Sequence, residues 1–272
     1  MEYNEKVYEF SEIPRLTPAQ EKSPFASFYY SPVEKPVPEV MRCIGEQQLP
    51  VGSALNFSDI ERVFRPEGDS LENGWCILPD GTGYSCVVTE MPEVTPAIEQ
   101  WWNQWIMDPD YDYLNYRIWM PGLHISHGMP IVENMGWGVS QIQMLQPLFP
   151  PQLNLSAPPQ ILDDRFLGAI GTSGCSNILD RPEDKEYTIL ISCIKRFGQG
   201  VKVQTIGYMG VKWENGHLVK MHDADPGKLR LFITHNAYEF RRKALLAPKL
   251  YQMATALPNC GLNPNVKPPV KL

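Results

Sequence analysis

The sequence predicts an α+β protein in which one long helix lies across an antiparallel sheet. Three observations favour this class. The first fifty residues are rich in proline, the middle of the chain is a series of strand-like segments, and sustained helical periodicity appears after residue 225. We expect the sheet to be curved enough to enclose a cavity.

Composition limits the classes of function. The 272 residues carry 24 Lys and Arg against 31 Asp and Glu, a net charge of −7, and 43% are hydrophobic, so the chain is long and apolar enough for a large core. An acidic balance argues against an extended nucleic-acid surface. No apolar run is long enough to cross a bilayer, and the N-terminus lacks the apolar stretch of a signal peptide. We therefore expect a soluble, cytoplasmic protein that binds neither nucleic acid nor membranes.

The first part of the chain predicts an extended arm, a short helix and a hairpin. Proline blocks helix and sheet alike over the first fifty residues. A short helix is predicted over Ile60–Phe64. Gly74–Asp80 and Gly83–Thr89 flank an Asp80-Gly81 turn and are typical of a hairpin.

A helix is predicted to begin at Thr95-Pro96, because threonine caps helices well and proline suits their first position. It should end at Asp108-Pro109. Four large side chains recur at helical spacing and form a broad face: Ile98, Trp101, Trp102 and Trp105. Such a face is more often core than ligand pocket.

The next segments predict strands, followed by the long helix. The candidate strands are Tyr116–Trp119, Met129–Met135, Ser140–Met144, Phe166–Ile170, Tyr187–Lys195, Val203–Trp213 and His217–Met221. Asn215-Gly216 predicts a tight turn between the last two. Asp225-Pro226 is a helix start, and Pro248 is expected to kink or end that helix.

Histidines and carboxylates form two candidate clusters. His235 and Glu239 are four residues apart, so on a helix they share a face and can supply two metal ligands; alternatively they are a surface pair worth a few tenths of a kcal/mol. His124 follows the Pro121-Gly122 turn. His127 lies three residues later and can face the same space.

Glu133 lies in an apolar run and can point either inwards or to solvent. If the strand register is shifted by one residue, Asp164 can replace it. Two histidines and two glutamates that converge make a tetrahedral set suited to Zn²⁺ or another divalent first-row metal.

These motifs together resemble one family. Four motifs, in this order, resemble those of the 2,4-diacetylphloroglucinol hydrolase family, which includes phloretin hydrolase. They are Trp101–Trp105, Tyr116–Trp119 with Pro121 and His124, Val132-Glu133 with Gly136, and His235 with Glu239. The similarity covers roughly residues 90–250.

The resemblance implies a Bet v1-like (START-like) helix-grip domain over residues 91–272, preceded by an arm and small accessory region over residues 1–90. It implies a metal, usually zinc, held by His124, Glu133, His235 and Glu239, and a tyrosine, here Tyr116, that hydrogen-bonds a substrate oxygen.

Two positions depart from the family pattern. His127 stands where the hydrolase has asparagine, so it can donate to the same oxygen, act as an acid or compete as a ligand. Met120 stands where the family pattern has a polar aromatic residue or histidine, so the pocket wall differs too.

The leading hypothesis is therefore a metal-dependent hydrolase, with zinc as the expected metal, that cleaves a carbon–carbon bond between an acyl group and a phenolic ring or 1,3-dicarbonyl carbon. Tyr116 or His127 would assist protonation of the leaving carbon, and Glu133 or Glu239 would act as general base. An alternative enzyme isomerises or cyclises a polyketide-like compound without hydrolysis, and a third possibility is a binder of apolar ligands without catalysis. The substrate is expected to be small and aromatic or polyketide-like, and a homodimer is allowed.

Overall fold

The computed structural model describes residues 13–45, 48–106, 108–124, 143–144, 165–177, 185–214 and 217–256. The α-helices are α1 Ala26–Tyr29, α2 Pro38–Gly45, α3 Pro96–Trp105, α4 Leu114–Trp119 and α5 Pro226–Ala256. The strands are β1 Gly74–Ile77, β2 Gly83–Met91, β3 Gln143–Met144, β4 Phe166–Asn177, β5 Lys185–Phe197, β6 Gly200–Met209, β7 Val211–Glu214 and β8 His217–Lys220. Short 3₁₀ helices cover Gln20–Lys22, Val51–Ser53, Phe57–Phe64, Pro66–Ser70 and Pro109–Tyr111. The predicted α+β class is confirmed.

Six strands form one antiparallel sheet in the order β1-β2-β6-β5-β4-β3, and β7 pairs with β8 in a second, two-stranded sheet. The predicted hairpin of β1 and β2 is confirmed, with Ile77 opposite Gly83. Strands β5 and β6 form a longer hairpin that closes where Phe197 pairs with Gly200. Because β2 also pairs with β6 over its whole length, residues early and late in the chain share one sheet.

The sheet is covered on both faces around its central strand β6. One face packs against the 3₁₀ helix Phe57–Phe64, with Tyr208 and Ile206 buried there, and Gln204 donates to the carbonyl of Gly68 in the next 3₁₀ helix. The other face packs against α5, with Met209 buried there. This two-sided burial explains why β6 has little polar alternation, since neither face is solvated.

Helix α5 runs through Pro248 to Ala256, so the helix does not end at the proline. Proline removes one backbone hydrogen bond, but buried residues on both sides of it, including Ala247 and Leu250, hold the last turns in the core. Burial of these side chains therefore outweighs the free-energy cost of the hydrogen bond that Pro248 removes.

Two strand predictions are corrected. Tyr116–Trp119 lies in helix α4, because Leu114 and Ile118 are both buried at a spacing of four residues, a period that the predicted four-residue window was too short to reveal. Val203–Trp213 is two strands, because Gly210 has φ +83 and brings its backbone against the carbonyl of His222.

The prediction of an extended arm over the first fifty residues is wrong in part, because this segment contains α1 and α2. Pro38 is the first residue of α2, a position where the fixed φ of proline suits a helix.

Other predicted features lie partly or wholly outside the described residues or stay untested. Met129–Met135 and most of Ser140–Met144 lie outside the described residues, although Gln143–Met144 forms β3. The sheet contains strands from both sides of the boundary placed at residues 90 and 91, and the division into two domains stays a prediction. Within the described ranges, no helix combines the length and the apolar character needed to cross a membrane.

Candidate metal centre

Helix α5 presents His235 and Glu239 to the interior on adjacent turns. Residues four apart on a helix lie one above the other, so the spacing brings the two side chains together. The structure excludes the surface-pair alternative, since His235 is 4% and Glu239 5% exposed. The separation between His235 Nε2 and Glu239 Oε2 is 3.5 Å.

His124 reaches this pair from a turn that follows α4. The backbone N–H groups of Leu123 and His124 both donate to the carbonyl of Met120, and Gly122 adopts φ +79, a conformation that glycine takes without strain. The turn reverses the chain and directs the imidazole of His124, which is 3% exposed, back towards α5.

The three side chains converge on a single point. His124 Nε2 lies 3.1 Å from His235 Nε2 and 3.2 Å from Glu239 Oε2. Four ligands in a tetrahedron with bonds of about 2.0–2.1 Å lie about 3.3–3.4 Å apart, so these distances fit three corners of a zinc-sized site. Among the described residues, His124, His235 and Glu239 are the group of possible metal ligands whose ligand atoms all lie within 4.8 Å of one another.

The protonation states also suit a cation. Burial, together with the neighbouring His235, lowers the pKa of His124 to about 4, although the hydrogen bond with Glu239 opposes the shift. Burial raises the pKa of Glu239, but hydrogen bonds from the two imidazoles outweigh this and bring it to about 2. At neutral pH, His124 is therefore an uncharged base and Glu239 a carboxylate, which are the forms that bind metals.

Donor and acceptor capacity supports the same conclusion. Two imidazole nitrogens that face each other at 3.1 Å can share one proton at most, and both also face a carboxylate oxygen. A divalent cation at the centre would accept all three lone pairs at once. The residues present therefore fit a metal ion, and they leave a tetrahedral fourth position among the described ligands, as catalytic zinc sites do.

Two aromatic rings from α4 enclose His124. The Tyr116 ring stacks on the imidazole with 4.1 Å between centroids and an angle of 7°, and Trp119 meets it edge-on at 5.1 Å. Trp119 Nε1 donates to the backbone carbonyl of Glu239 at 2.8 Å. Helix α4 thus orients two ligands: it holds the His124 ring by aromatic contacts and the backbone of Glu239 by a hydrogen bond.

A buried ion pair lies one turn beyond Glu239 on α5. Lys243 Nζ donates to Glu99 Oε1 at 2.7 Å, and both side chains are less than 5% exposed. Lys243 also lies over the rings of Trp102 and Phe240, 5.8 Å from each centroid. This pair joins α3 to α5. Lys243 lies four residues after Glu239, so it continues the row of polar side chains that His235 and Glu239 begin on α5.

The predicted site residues divide into two groups. His124, His235 and Glu239 meet as the metal prediction requires, and Tyr116 is beside them, whereas His127, Glu133 and the alternative Asp164 lie outside the described residues. Their roles stay predictions. Met120, which was placed in the pocket wall, is fully buried at 0% exposure.

Sequence reasoning missed the buried charges around the ligands. Glu99 lies within the aromatic helix and Lys243 within the apolar stripe of α5, positions where a charge is costly unless it is paired. Arg242, 1% exposed, is a third such residue. Their positions inside apolar helical stripes of the sequence could have indicated that these charged residues are buried and bonded.

Comparison with known proteins adds independent information. The profile of the family described as DAPG hydrolase PhiG domain matches residues 55–252, more than half of the chain, and the match begins earlier than the region of resemblance found in the sequence. No curated protein sequence matches the chain. The profile match confirms the predicted family, and the chain belongs to the DAPG hydrolase PhiG domain family.

Proposed function

We propose that this protein is a metal-dependent hydrolase that cleaves the carbon–carbon bond between an acyl group and an electron-rich phenolic ring or 1,3-dicarbonyl carbon. The observation that carries the proposal is the convergence of His124, His235 and Glu239 within hydrogen-bonding distance in a buried site. Membership of the DAPG hydrolase family supports hydrolysis of an acylphloroglucinol-type substrate.

The three described ligands would hold zinc, with Glu133 proposed as a fourth ligand that can leave room for substrate. Nitrogen and oxygen donors at these spacings suit Zn²⁺ better than the larger, oxygen-preferring Ca²⁺. When bound, the ion supplies a Lewis acid that polarises a carbonyl and lowers the pKa of a water to about 7.

Tyr116 is suited to donate a hydrogen bond to a substrate oxygen. Burial raises the pKa of its phenol, and the nearby Glu239 carboxylate raises it further, so the hydroxyl keeps its proton at neutral pH. Its ring is held parallel to His124, which fixes the phenol relative to the ligands. Trp119, which is only partly buried, would provide an apolar wall for an aromatic substrate, and the buried Trp102 supports its ring by edge contact at 5.8 Å.

The proposed reaction adds one water across the bond that breaks. The water oxygen joins the acyl carbon, the bond to the ring carbon breaks, and its electron pair stays on that carbon, which then takes a proton. Tyr116 or His127 would assist that protonation, and Glu239 or Glu133 would remove the proton from the water. The products are a carboxylic acid and the deacylated ring.

We also propose that the domain has the Bet v1-like helix-grip fold. Support comes from the long helix α5 laid across an antiparallel sheet, with the ligands on its inner surface. In such a fold the helix and the sheet enclose the ligand chamber, so His235 and Glu239 would line it from the helix side.

The test is incubation with 2,4-diacetylphloroglucinol in H₂¹⁸O, with and without a chelator. Hydrolysis predicts acetate that carries one ¹⁸O atom and a ring product lighter by one acetyl group. His235→Ala and Glu239→Ala should each remove both bound zinc and acetate release. Full activity in the metal-free double variant would contradict the proposal.

The same experiment separates the alternative enzyme. Isomerisation leaves the mass of the substrate unchanged. Cyclisation without hydrolysis can change that mass, but neither reaction releases acetate. A binder without catalysis would retain the substrate intact and contain no stoichiometric zinc, which elemental analysis of the purified protein measures directly.

A further inference from the structure

Helix α4 carries much of the metal site on a weak element. It has six residues, far below the length of about 12–15 at which an isolated helix becomes marginally stable. It is entered through Asp112 and Tyr113, both with positive φ (48° and 61°), and no side chain caps its start. Such backbone conformations cost roughly 1 kcal/mol or more each and persist when surrounding contacts impose them.

The N-terminal arm makes those contacts at the start of α4. Gln20 Nε2 donates to the carbonyl of Asp112 at 2.8 Å, and Gln20 Oε1 accepts from Arg117 Nη1 at 2.7 Å. The Arg117 guanidinium also lies over the ring of Tyr29, 5.2 Å from its centroid. Gln20 is 6% exposed, so these contacts are shielded from water.

Arg242 of α5 fixes the other end of α4. Its Nε donates to the carbonyl of Ile118 at 2.9 Å, next to Trp119. Its Nη1 donates to the carbonyls of Ser31 and Pro32, and its Nη2 donates to the carbonyl of Phe28 and to Ser31 Oγ. All five donors of the guanidinium are therefore used, four of them on the arm.

Arg242 is a buried cation held by neutral acceptors. It is 1% exposed, and no carboxylate pairs with it among the residues that the structure describes. Burial lowers its pKa to about 10, which still leaves it charged at neutral pH. A buried charge without an anion is costly, and here the five hydrogen bonds of the guanidinium offset that cost while they join α5 to α4 and to the arm.

We infer that the arm over residues 14–32 and Arg242 form a brace that holds α4, and with it Tyr116, Trp119 and His124, in register with the ligands on α5. In this arrangement Arg242 is a positioning residue, since it acts on the site through Ile118. The arm precedes residues 55–252, the part matched by the family profile, so this chain completes its site with a segment from outside the matched domain. The inference rests on the proposed metal centre.

Arg242→Lys tests the brace with the charge retained. A lysine ammonium offers three donors from one atom, so it cannot bond to Ile118 and to the arm in the way the planar fork does. Arg241→Lys is the matched control, because Arg241 is the neighbouring residue and forms a partly exposed contact with Glu34 at 3.8 Å.

The first measurement needs no metal. In the metal-free protein, the His124 imidazole signals in NMR are shifted by the ring current of the stacked Tyr116, and a His124→Gln spectrum assigns them. Arg242→Lys should move these signals, and Arg241→Lys should not. Zinc affinity, measured by chelator competition, should fall about 10- to 100-fold in Arg242→Lys, as for residues that orient metal ligands.

Each outcome decides a separate question. His124 signals and zinc affinity equal to those of the control would overturn the brace, whatever happens to Tm. A wild-type protein that binds neither zinc nor another divalent first-row metal would refute the proposed function, while the His124 signals would still decide the brace. If Arg242→Lys does not fold, Gln20→Ala replaces it, and unchanged His124 signals in that variant overturn the inference.

Discussion

Replacement of Glu239 by glutamine tests the centre at its one described anionic ligand. Glutamine has the same shape and length, so the change removes the charge and one coordinating oxygen and creates no cavity. The carboxylate oxygen lies 3.2 Å and 3.5 Å from the two imidazole nitrogens, so the loss falls on the point where all three converge.

The expected loss of zinc affinity is large. Structural zinc sites bind with about 10–16 kcal/mol over four ligands, or about 2.5–4 kcal/mol for each. At about 1.4 kcal/mol per factor of ten, removal of one ligand weakens binding roughly 60- to 700-fold. An amide oxygen can still bind weakly, which places the expected value in the lower half of this range.

Competition with a chromophoric chelator measures the Kd, and Glu99→Gln is the matched control. Glu99 is an equally buried, ion-paired carboxylate, but its partners are Lys243 and Asn103, so it shares none with Glu239. The control should lose stability and keep its zinc affinity within about twofold. A Kd for Glu239→Gln that matches the control would refute the assignment of Glu239 as a ligand.

Two further predictions concern the support of the site and of the sheet. Trp119→Phe removes the donor to the Glu239 carbonyl and part of the aromatic wall, so we expect a loss of about 1–3 kcal/mol in the free energy of unfolding and weaker zinc binding; unchanged stability and affinity would contradict this. Asp69 contacts Lys195, Lys202 and Arg165. Burial raises the pKa of its carboxyl, but these cations outweigh it and hold the pKa below the usual 3.8. The stabilisation is therefore complete above pH 3.8 and disappears as the pH falls through the lowered folded-state pKa. Asp69→Asn should cost about 1–2 kcal/mol in urea unfolding at pH 7, less than a fully buried pair, and progressively less below pH 3.8; a cost independent of pH would show that the charge is unimportant.

Local spacing was sufficient for several features. The i, i+4 relation of His235 and Glu239 follows from helix geometry, so the sequence alone predicted that they share a face. Thr95 and Pro96 predicted the start of α3, and Thr95 Oγ1 does accept a hydrogen bond from the Ile98 N–H. These predictions hold because each depends on residues within one turn of the chain.

Features that depend on distant contacts were decided by packing. Tyr116–Trp119 was predicted as a strand, and it is a helix because Leu114 and Ile118 face the core, while Gln20 of the arm holds its start and Arg242 of α5 holds its end. Lys195 ends a predicted strand, and nothing in the local sequence indicates that its charge is buried; it is 1% exposed and donates to Asp69 and to the Arg65 carbonyl.

The sequence by itself determined the α+β class, the first hairpin, the start of the long C-terminal helix, and which side chains are chemically able to bind a metal. The tertiary structure alone decided that His124 meets His235, 111 residues away, and that Arg242 joins the arm to α4. The physical reason is that hydrogen bonding and periodicity act over a few residues, whereas the meeting of distant side chains depends on how helix, turn and arm pack together, which no short window of sequence contains.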